Sequence, residues 1–528
     1  MAGNRNGEAP YNAAQISPTT SGTATKSLLG YWIHFSKHLD FSPEDMNNSL
    51  ARSLRPTPRN LRSAVLALVF LILTVFGSPS QAQPTVTLDG GLGRGINFGN
   101  MLEAPYEGAW GLTVQPEFFL RVAEAGFDHI RLPVSWTYHA GLEAPYLVDE
   151  TFFQRVDEIL DMAEAIGVQL ILNDHHHDEL DADPLAESPR FLAIWDQIAT
   201  RYADKGDWLH FEILNEPHGV FSQVPEMWNE LQADALAVIR QTNPTRKVLI
   251  EPVSFSSISR LDELDVPDDP NLIASVHYYD PFPFTHQGAT WVDPTPPLGV
   301  IYRPLEKAIA PPWQNYSWNT TVDNTAPGLR VTYREGYSGL ALFREVGLKN
   351  VEAIQFRINR PFDLQVIVFD GNGDYFLFPV QSTATPGNER MITVELDTLP
   401  PDFDFKHFAI QNFSPDAQIP MIMSVLRIKQ NGIWDYMMTS QANIIRRQLQ
   451  SARTWADENN IPLHMGEFGA FRMADINSRL LWTRNVRVIA EQQRLSWAYW
   501  ELGFDFGIYD PVAQQWRNDL RRAVIPPQ

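Results

Sequence analysis

Residues 209–217 read LHFEILNEP: a run from Leu209 to Leu214 that stops on Asn215, Glu216 and Pro217. An apolar run of that length with a polar end reads as a strand buried on both faces, its C-terminal tip reaching a rim. The shape recurs in both directions. Upstream lie Gly93–Phe98, His129–Pro133 and Val168–Leu172; downstream lie Lys247–Ile250 and Leu272–His277. Amphipathic stretches separate them at Pro116–Ala125, Glu150–Ile166, Arg190–Ala203 and Trp228–Arg240, with a short one near Ile258–Leu264. In 150–166, Phe152, Phe153, Val156, Ile159, Leu160 and Ala163 fall at helical spacing. Two more runs come late, at Pro462–Met465 and Ser496–Trp500, preceded by helical patterns at 440–458 and 476–492. Eight strands alternating with helices predict an α/β protein built on a (β/α)8 TIM barrel. A doubly wound sheet would need a glycine fingerprint after its first strand, whereas Gly91–Gly95 precedes or begins it.

Between the sixth and seventh strands the period changes. Ala353–Ile358, Leu364–Phe369 and Met391–Leu396 alternate with period two, and Asp370-Gly371-Asn372-Gly373 is a turn signal. An all-β, jelly-roll-like sandwich inserted at 312–432 follows, leaving 83–311 and 433–528 for the barrel.

Composition narrows the function classes. The 528 residues are 44% hydrophobic and 20% charged, enough for a large core. Sixty-three acids against 41 bases give a net charge of −22, the wrong sign for a nucleic-acid binder. There is no cysteine, so disulfides, thiolate metal sites and a cysteine nucleophile are excluded. Residues 64–76, AVLALVFLILTVF, form an apolar run too short to span a membrane. Arg52, Arg55, Arg59 and Arg62 precede the run, and Ser80-Gln81-Ala82 follows it. The segment reads as a signal peptide cut after Ala82, with Met46 as a candidate true start. Residues 1–82 are then a leader, the mature chain has no stable membrane span, and the protein is secreted or periplasmic.

The rim residues carry the chemistry. Arg131 ends strand two; Asn173-Asp174-His175-His176-His177 ends strand three; Asn215-Glu216-Pro217 ends strand four. His277-Tyr278-Tyr279, Gly466-Glu467-Phe468-Gly469 and Trp500-Glu501 end strands six, seven and eight. Paired carboxylates on one rim suit glycosidic cleavage, where one protonates the leaving oxygen and the other attacks or activates water. Three consecutive histidines in an extended segment point in different directions, so no metal site is expected there. No cofactor is called for.

At these residues the chain resembles glycoside hydrolase family 5, the cellulase family of clan A. The matching stretches are GINFGN at 95–100, HIRLPVSW at 129–136, LILNDHHHDEL at 170–180, FEILNEPHG at 211–219, SVHYYDPFPFTHQGATW at 275–291, PLHMGEFGA at 462–470 and WAYWELGFDFGIYDP at 497–511. The resemblance implies Glu216 as acid/base and Glu467 as nucleophile of a retaining double displacement. It implies Asn215 at the sugar 2-hydroxyl, Arg131 and Tyr279 on Glu467, and His277 beside Glu216. His175 and His176 would line the sugar site on the non-reducing side of the cut, and Trp500 would stack on that sugar. His177 has no implied role, Glu501 is a rim contact, and Asn97, Asn100, Glu103 and Trp110 are candidates for the cleft wall. The expected partner is a β-glucan polysaccharide and the expected activity endo-β-1,4-glucanase. Mannan, xyloglucan or mixed-linkage glucan are alternatives, and a non-catalytic glucan-binding protein is a remote one. The insert, with Trp313, Tyr316, Trp318, Tyr333, Tyr337 and Phe343, resembles the jelly-roll carbohydrate-binding modules of bacterial cellulases. Asp370, Asn372 and Asp374 are a weak calcium candidate, lacking a following bidentate Glu.

Overall fold

The computed structural model describes residues 88–360, 363–370, 375–380, 389–400, 402–413 and 420–526. The leader, with its signal-peptide reading, lies outside the described residues, as do Asn372 and Asp374 of the calcium candidate. Eight parallel strands close into a barrel. They are β1 (Arg94–Asn97), β2 (His129–Leu132), β3 (Gln169–Asn173), β4 (Leu209–Glu212), β5 (Val248–Ile250), β6 (Leu272–Tyr278), β7 (Leu463–Phe468) and β8 (Ser496–Tyr499). Closure is the pairing of β8 with β1, where Trp497, Ala498 and Tyr499 face Arg94, Gly95 and Ile96. The open-sheet alternative is thereby excluded.

The helices form for the reasons the pattern gave. In Glu150–Ile166, Phe152, Phe153, Val156, Ile159, Leu160 and Ala163 are all buried against the barrel. Each large apolar side chain contributes about 1.5–3 kcal/mol by leaving water, far more than helix propensity supplies. Gly167 ends the helix at φ +74°, its N–H bonded to the carbonyls of Ala163 and Glu164. One boundary differs from expectation. The helix expected from Arg190 begins six residues earlier, at Pro184, capped by the Asp183 side chain on the Ala186 N–H. Pro189 lies inside it, so the proline does not mark its start. The short helix before β6 is a 3-10 turn, Ile258–Glu263.

Among the described residues, the chain between β6 and β7 forms two large antiparallel sheets and a two-stranded ribbon. One joins Tyr375–Val380, Leu364–Phe369, Phe405–Asn412, Gly339–Leu348 and Gln314–Asn315 in that order. The other joins Arg390–Glu395, Val351–Ile358, Pro420–Gln430, Leu329–Tyr333 and Thr320–Asn324, with Ile433–Tyr436 paired to Pro420–Gln430. Both sheets face one shared core that includes Trp313, Tyr333, Leu342, Phe356, Val368, Phe408 and Leu426. Entry and exit run side by side: Lys307–Ile309 pairs antiparallel with Met438–Ser440. Ser440 then caps the helix Gln441–Glu458 that leads to β7. A long insertion whose two ends meet in one ribbon leaves β6 and β7 paired in the closed barrel, with a register shift between Met465 and Glu467.

Candidate active site

The barrel interior near the strand ends is polar. Arg131, fully buried on β2, is its centre. Its Nε donates to Glu212 Oε2 at 2.8 Å and its Nη2 to the second Glu212 oxygen, a two-pronged bond across the barrel. Its Nη1 donates to Glu467 Oε1 at 2.7 Å and to Asn97 Oδ1 at 3.0 Å; Nη2 also reaches Asn215 Oδ1 at 2.7 Å. One cation therefore orients two carboxylates and two amides. The Tyr279 hydroxyl donates to the other Glu467 oxygen at 2.7 Å. Burial raises the Tyr279 phenol well above its ordinary range, and Glu467 adds to this, so it stays a neutral donor.

Glu216 faces Glu467. His277 Nδ1 lies 2.7 Å from Glu216 Oε1 and 3.8 Å from Glu467 Oε2. The nearest donor atoms of Glu216, His277 and Glu467 all fall within 4.8 Å of one another. Three such groups are also the geometry of a cation site. Here, however, Arg131 already places a permanent charge on Glu467, and the proton on His277 fills the same role. Burial opposes protonation of His277, but Glu467, Glu251 and Glu216 outweigh it and hold the imidazole well above its usual range. The charged imidazole in turn overcomes burial at Glu216 and keeps that carboxyl low. Burial pushes the Glu467 carboxyl up, against the pull of His277 and Arg131. Groups this close titrate as a set, and the proton of the Glu216–His277 contact belongs to the pair.

Two glycines of the β7 motif are dictated by close approach. A Cβ on Gly466 would lie 2.9 Å from both His277 Nε2 and Ser275 Oγ. One on Gly469 would lie 2.2 Å from the Trp500 carbonyl oxygen. Glu216 itself sits at φ +52°, unusual for a residue with a side chain.

The sugar-side residues gather around the same point. His175 stacks parallel to Trp500, centroids 5.6 Å apart at 4°. Asn173 Oδ1 accepts the Val134 N–H, so its Nδ2 donates to His175 Nδ1 and to Glu212 Oε1, both at 3.1 Å. His175 is held neutral, first by burial, and presents Nε2–H as a donor. His176 packs edge-on against His175 at 4.7 Å and near Trp110 at 6.2 Å. All nine residues expected from the sequence thus meet at one end of the barrel.

His177 points elsewhere: it is buried and bonds Asp174 Oδ2 at 2.9 Å. Among the candidates for the cleft wall, Trp110 is 40% exposed, whereas Asn97 and Glu103 are fully enclosed. The Glu103 carboxyl accepts the Asn100 and Met101 N–H groups and acts electrostatically on Glu501, the neighbour of Trp500 in sequence. Glu501 takes bonds from Asn100 Nδ2 at 2.7 Å and Phe506 N at 3.2 Å. Burial raises Glu103 to about 7 and Glu501 to about 8. The sequence reading missed Glu212, Glu251 and Asn173 as site members. Glu251 stands directly after β5, the strand whose rim residue went unread.

A family model described as Cellulase (glycosyl hydrolase family 5) matches residues 94–324. The structure of a hyperthermophilic endo-beta-1,4-glucanase in complex with substrate is 30% identical, with a TM-score of 0.56. The match covers 83% of this chain and 97% of that one. The chain belongs to glycosyl hydrolase family 5. This family 5 chain is also 31% identical to Thermotoga maritima Cel5A in complex with cellobiose, over 82% of its own length and 97% of the other, with a TM-score of 0.55. Endoglucanase H of Acetivibrio thermocellus is 34% identical over 267 residues, half of this chain and 29% of that protein. Endoglucanase A of Clostridium longisporum is 30% identical, over 44% of this chain and 52% of that protein. The family 5 chain thus spans between about a quarter and a half of the first curated relatives it matches.

Proposed function

We propose that the protein is a secreted endo-β-1,4-glucanase that cleaves β-linked glucan with retention of configuration. The observation that carries this reading is the facing pair Glu216 and Glu467, one oxygen of each lying within 4.8 Å of the other. That spacing suits direct attack; an intervening water would need carboxyls about 6.5–9.5 Å apart. The endoglucanase names of the relatives support the substrate class. Among the described residues no helix is long and apolar enough to cross a membrane.

In the first step the Glu467 carboxylate attacks the anomeric carbon. The glycosidic C–O bond breaks, and the leaving oxygen takes the proton of the Glu216–His277 pair. In the second step Glu216 takes a proton from water, whose oxygen displaces Glu467 from the sugar. Asn215 spends its amide oxygen on Arg131, which turns its NH2 toward the sugar 2-hydroxyl. Trp500, backed by His175, offers a flat face to the ring. Proton NMR of early hydrolysis products is expected to show the β-anomer first, with mutarotation following. An α-anomer at the outset would contradict the reading. The same assay on cellulose, lichenan, xyloglucan and mannan ranks the polysaccharides.

The insert is read as a carbohydrate-binding module, and the outer face of its five-stranded sheet supports this. Ala341 and Ala409 pair side by side and are buried with Ile367, with Trp318 and Phe369 packed against them. Phe343, His407 and Phe369 form one flank, with His407 stacked 4.4 Å from Phe369 and Tyr316 5.2 Å from Phe343. Gln365 and Gln411 form the other flank beside Trp318, which covers Gly339. Rings for the apolar faces of sugars and amides for their hydroxyls suit a glycan. Trp313 and Tyr333, by contrast, are core. Replacing Tyr316 and Phe343 by Ala is expected to weaken retention on β-glucan in affinity gels about tenfold or more. Turnover of a soluble aryl cellobioside should be unchanged; equal retention would show the face to be structural.

A further inference from the structure

Glu251 is a buried acid directly after β5, and its side chain reaches the backbone of the acid/base and the neighbourhood of His277. Its Oε2 accepts the backbone N–H of Glu216 at 2.8 Å and the hydroxyl of Ser256. Its Oε1 accepts the Ser275 hydroxyl at 2.9 Å and lies 3.5 Å from His277 Nε2. The other ring nitrogen of His277 is the one in contact with Glu216 at 2.7 Å. The imidazole therefore lies between two carboxylates: it is hydrogen-bonded to Glu216 through Nδ1, while Glu251 approaches Nε2 at 3.5 Å as an ion-pair neighbour and not as a hydrogen-bond partner. Glu251 is itself anchored from behind: its N–H donates to Gln232 Oε1 at 3.2 Å, and its carbonyl accepts Trp228 Nε1–H at 2.8 Å.

We propose that Glu251 is a positioning residue for the acid/base, fixing the Glu216 backbone and the orientation of His277 so that Glu216, His277 and Glu251 act as one relay. With an anion at Nε2, that nitrogen carries a proton, and Nδ1 is the atom that shares a proton with Glu216. The inference rests on Glu216 being the acid/base.

The relay sets the alkaline side of the pH profile, and the sign follows from charge. The groups facing His277 are Glu216 from the loop after β4, Glu251 after β5 and Glu467 on β7. His175 and His464 act on it at longer range, and Arg131 acts on Glu251 and Glu216. Tyr279, His176 and His286 also feel the Glu216 charge. Removing the negative charge of Glu251 weakens the hold on the proton at both His277 and Glu216. Both then lose it at lower pH.

The test is the pH dependence of kcat/KM for the full chain on a soluble cello-oligosaccharide, whose leaving oxygen needs the proton, with nitrogen-15 NMR of the histidines. Glu251→Gln is expected to move the alkaline limb down by about one pH unit or more. The His277 ring should deprotonate over the same lower range, with KM little changed. Glu251→Asp keeps the charge and should keep the limb near its original place. Ser275→Ala leaves Glu251 in place, frees Oε1 for His277, and should move the limb upward; it serves where Glu251→Gln does not fold. An unmoved limb in Glu251→Gln, or equal losses in the Gln and Asp variants at every pH, would overturn the relay. A Glu216→Gln variant with full activity would instead overturn the acid/base assignment beneath it.

Discussion

Glu467→Gln is expected to lower turnover of β-glucan by roughly four orders of magnitude or more, the scale on which loss of a nucleophile acts. The amide keeps the size of the carboxyl; its oxygen can still accept from Arg131 and its NH2 can donate to the Tyr279 hydroxyl oxygen, so glucan binding should survive. Glu216→Gln is expected to behave differently. It should lose about 10²–10⁴-fold on polysaccharide, where the leaving oxygen needs a proton. It should lose much less in the first step with a nitrophenolate leaving group, which departs without one. Steady-state kinetics on both substrates, with binding measured by calorimetry, check the pair. Full activity in either variant would refute the assignment. The acid side of the profile belongs to Glu467, which must be ionised to attack. Because burial raises it, activity should begin to fall at a pH above the ordinary glutamate range.

Glu212→Ala carries the second large effect, and it acts through Arg131. Arg131 and Glu212 are both completely buried, joined by two hydrogen bonds. Removing one partner leaves a buried guanidinium with half its compensation, a loss of about 3–5 kcal/mol in stability. The remaining acid on Arg131 is the nucleophile itself, at 2.7 Å. A guanidinium no longer held by Glu212 ceases to fix Glu467, Asn215 and Asn97 in register. Glu212→Ala should therefore lose both thermal stability and activity. Glu212→Gln, which preserves shape and one acceptor, should lose less of each. Calorimetric melting beside kinetics checks this; a melting temperature unchanged in Glu212→Ala would show that Arg131 finds another partner.

The barrel was legible because its strands are buried on both faces and read as near-continuous apolar runs, and because the rim residues follow them directly. Arg131, Glu216, His277 and Glu467 could be read in this way. Glu212 could not. Residues 209–212 read Leu-His-Phe-Glu, and His210 and Glu212 lie within what reads as an apolar run. Their polarity marks the inside of the barrel, and the partner that explains Glu212 lies 81 positions away on β2. Glu251 was within reach, since it occupies the rim position of β5, but the short run Val248–Ile250 drew no attention to its end. In the insert, periodicity located the strands but could not say which aromatics face the core. Trp313 is enclosed while Tyr316, three residues on, is largely exposed. That difference depends on which sheet covers which face.

The central claim is that Glu467 forms a covalent bond to the sugar. A 2-deoxy-2-fluoro cellobioside with a good leaving group slows the second step more than the first and lets the intermediate accumulate. Mass spectrometry of the treated protein should show one added fluorocellobiosyl group, mapping to the peptide that carries Glu467. An unlabelled protein that still hydrolyses glucan, or a label on any other carboxylate, would contradict the account.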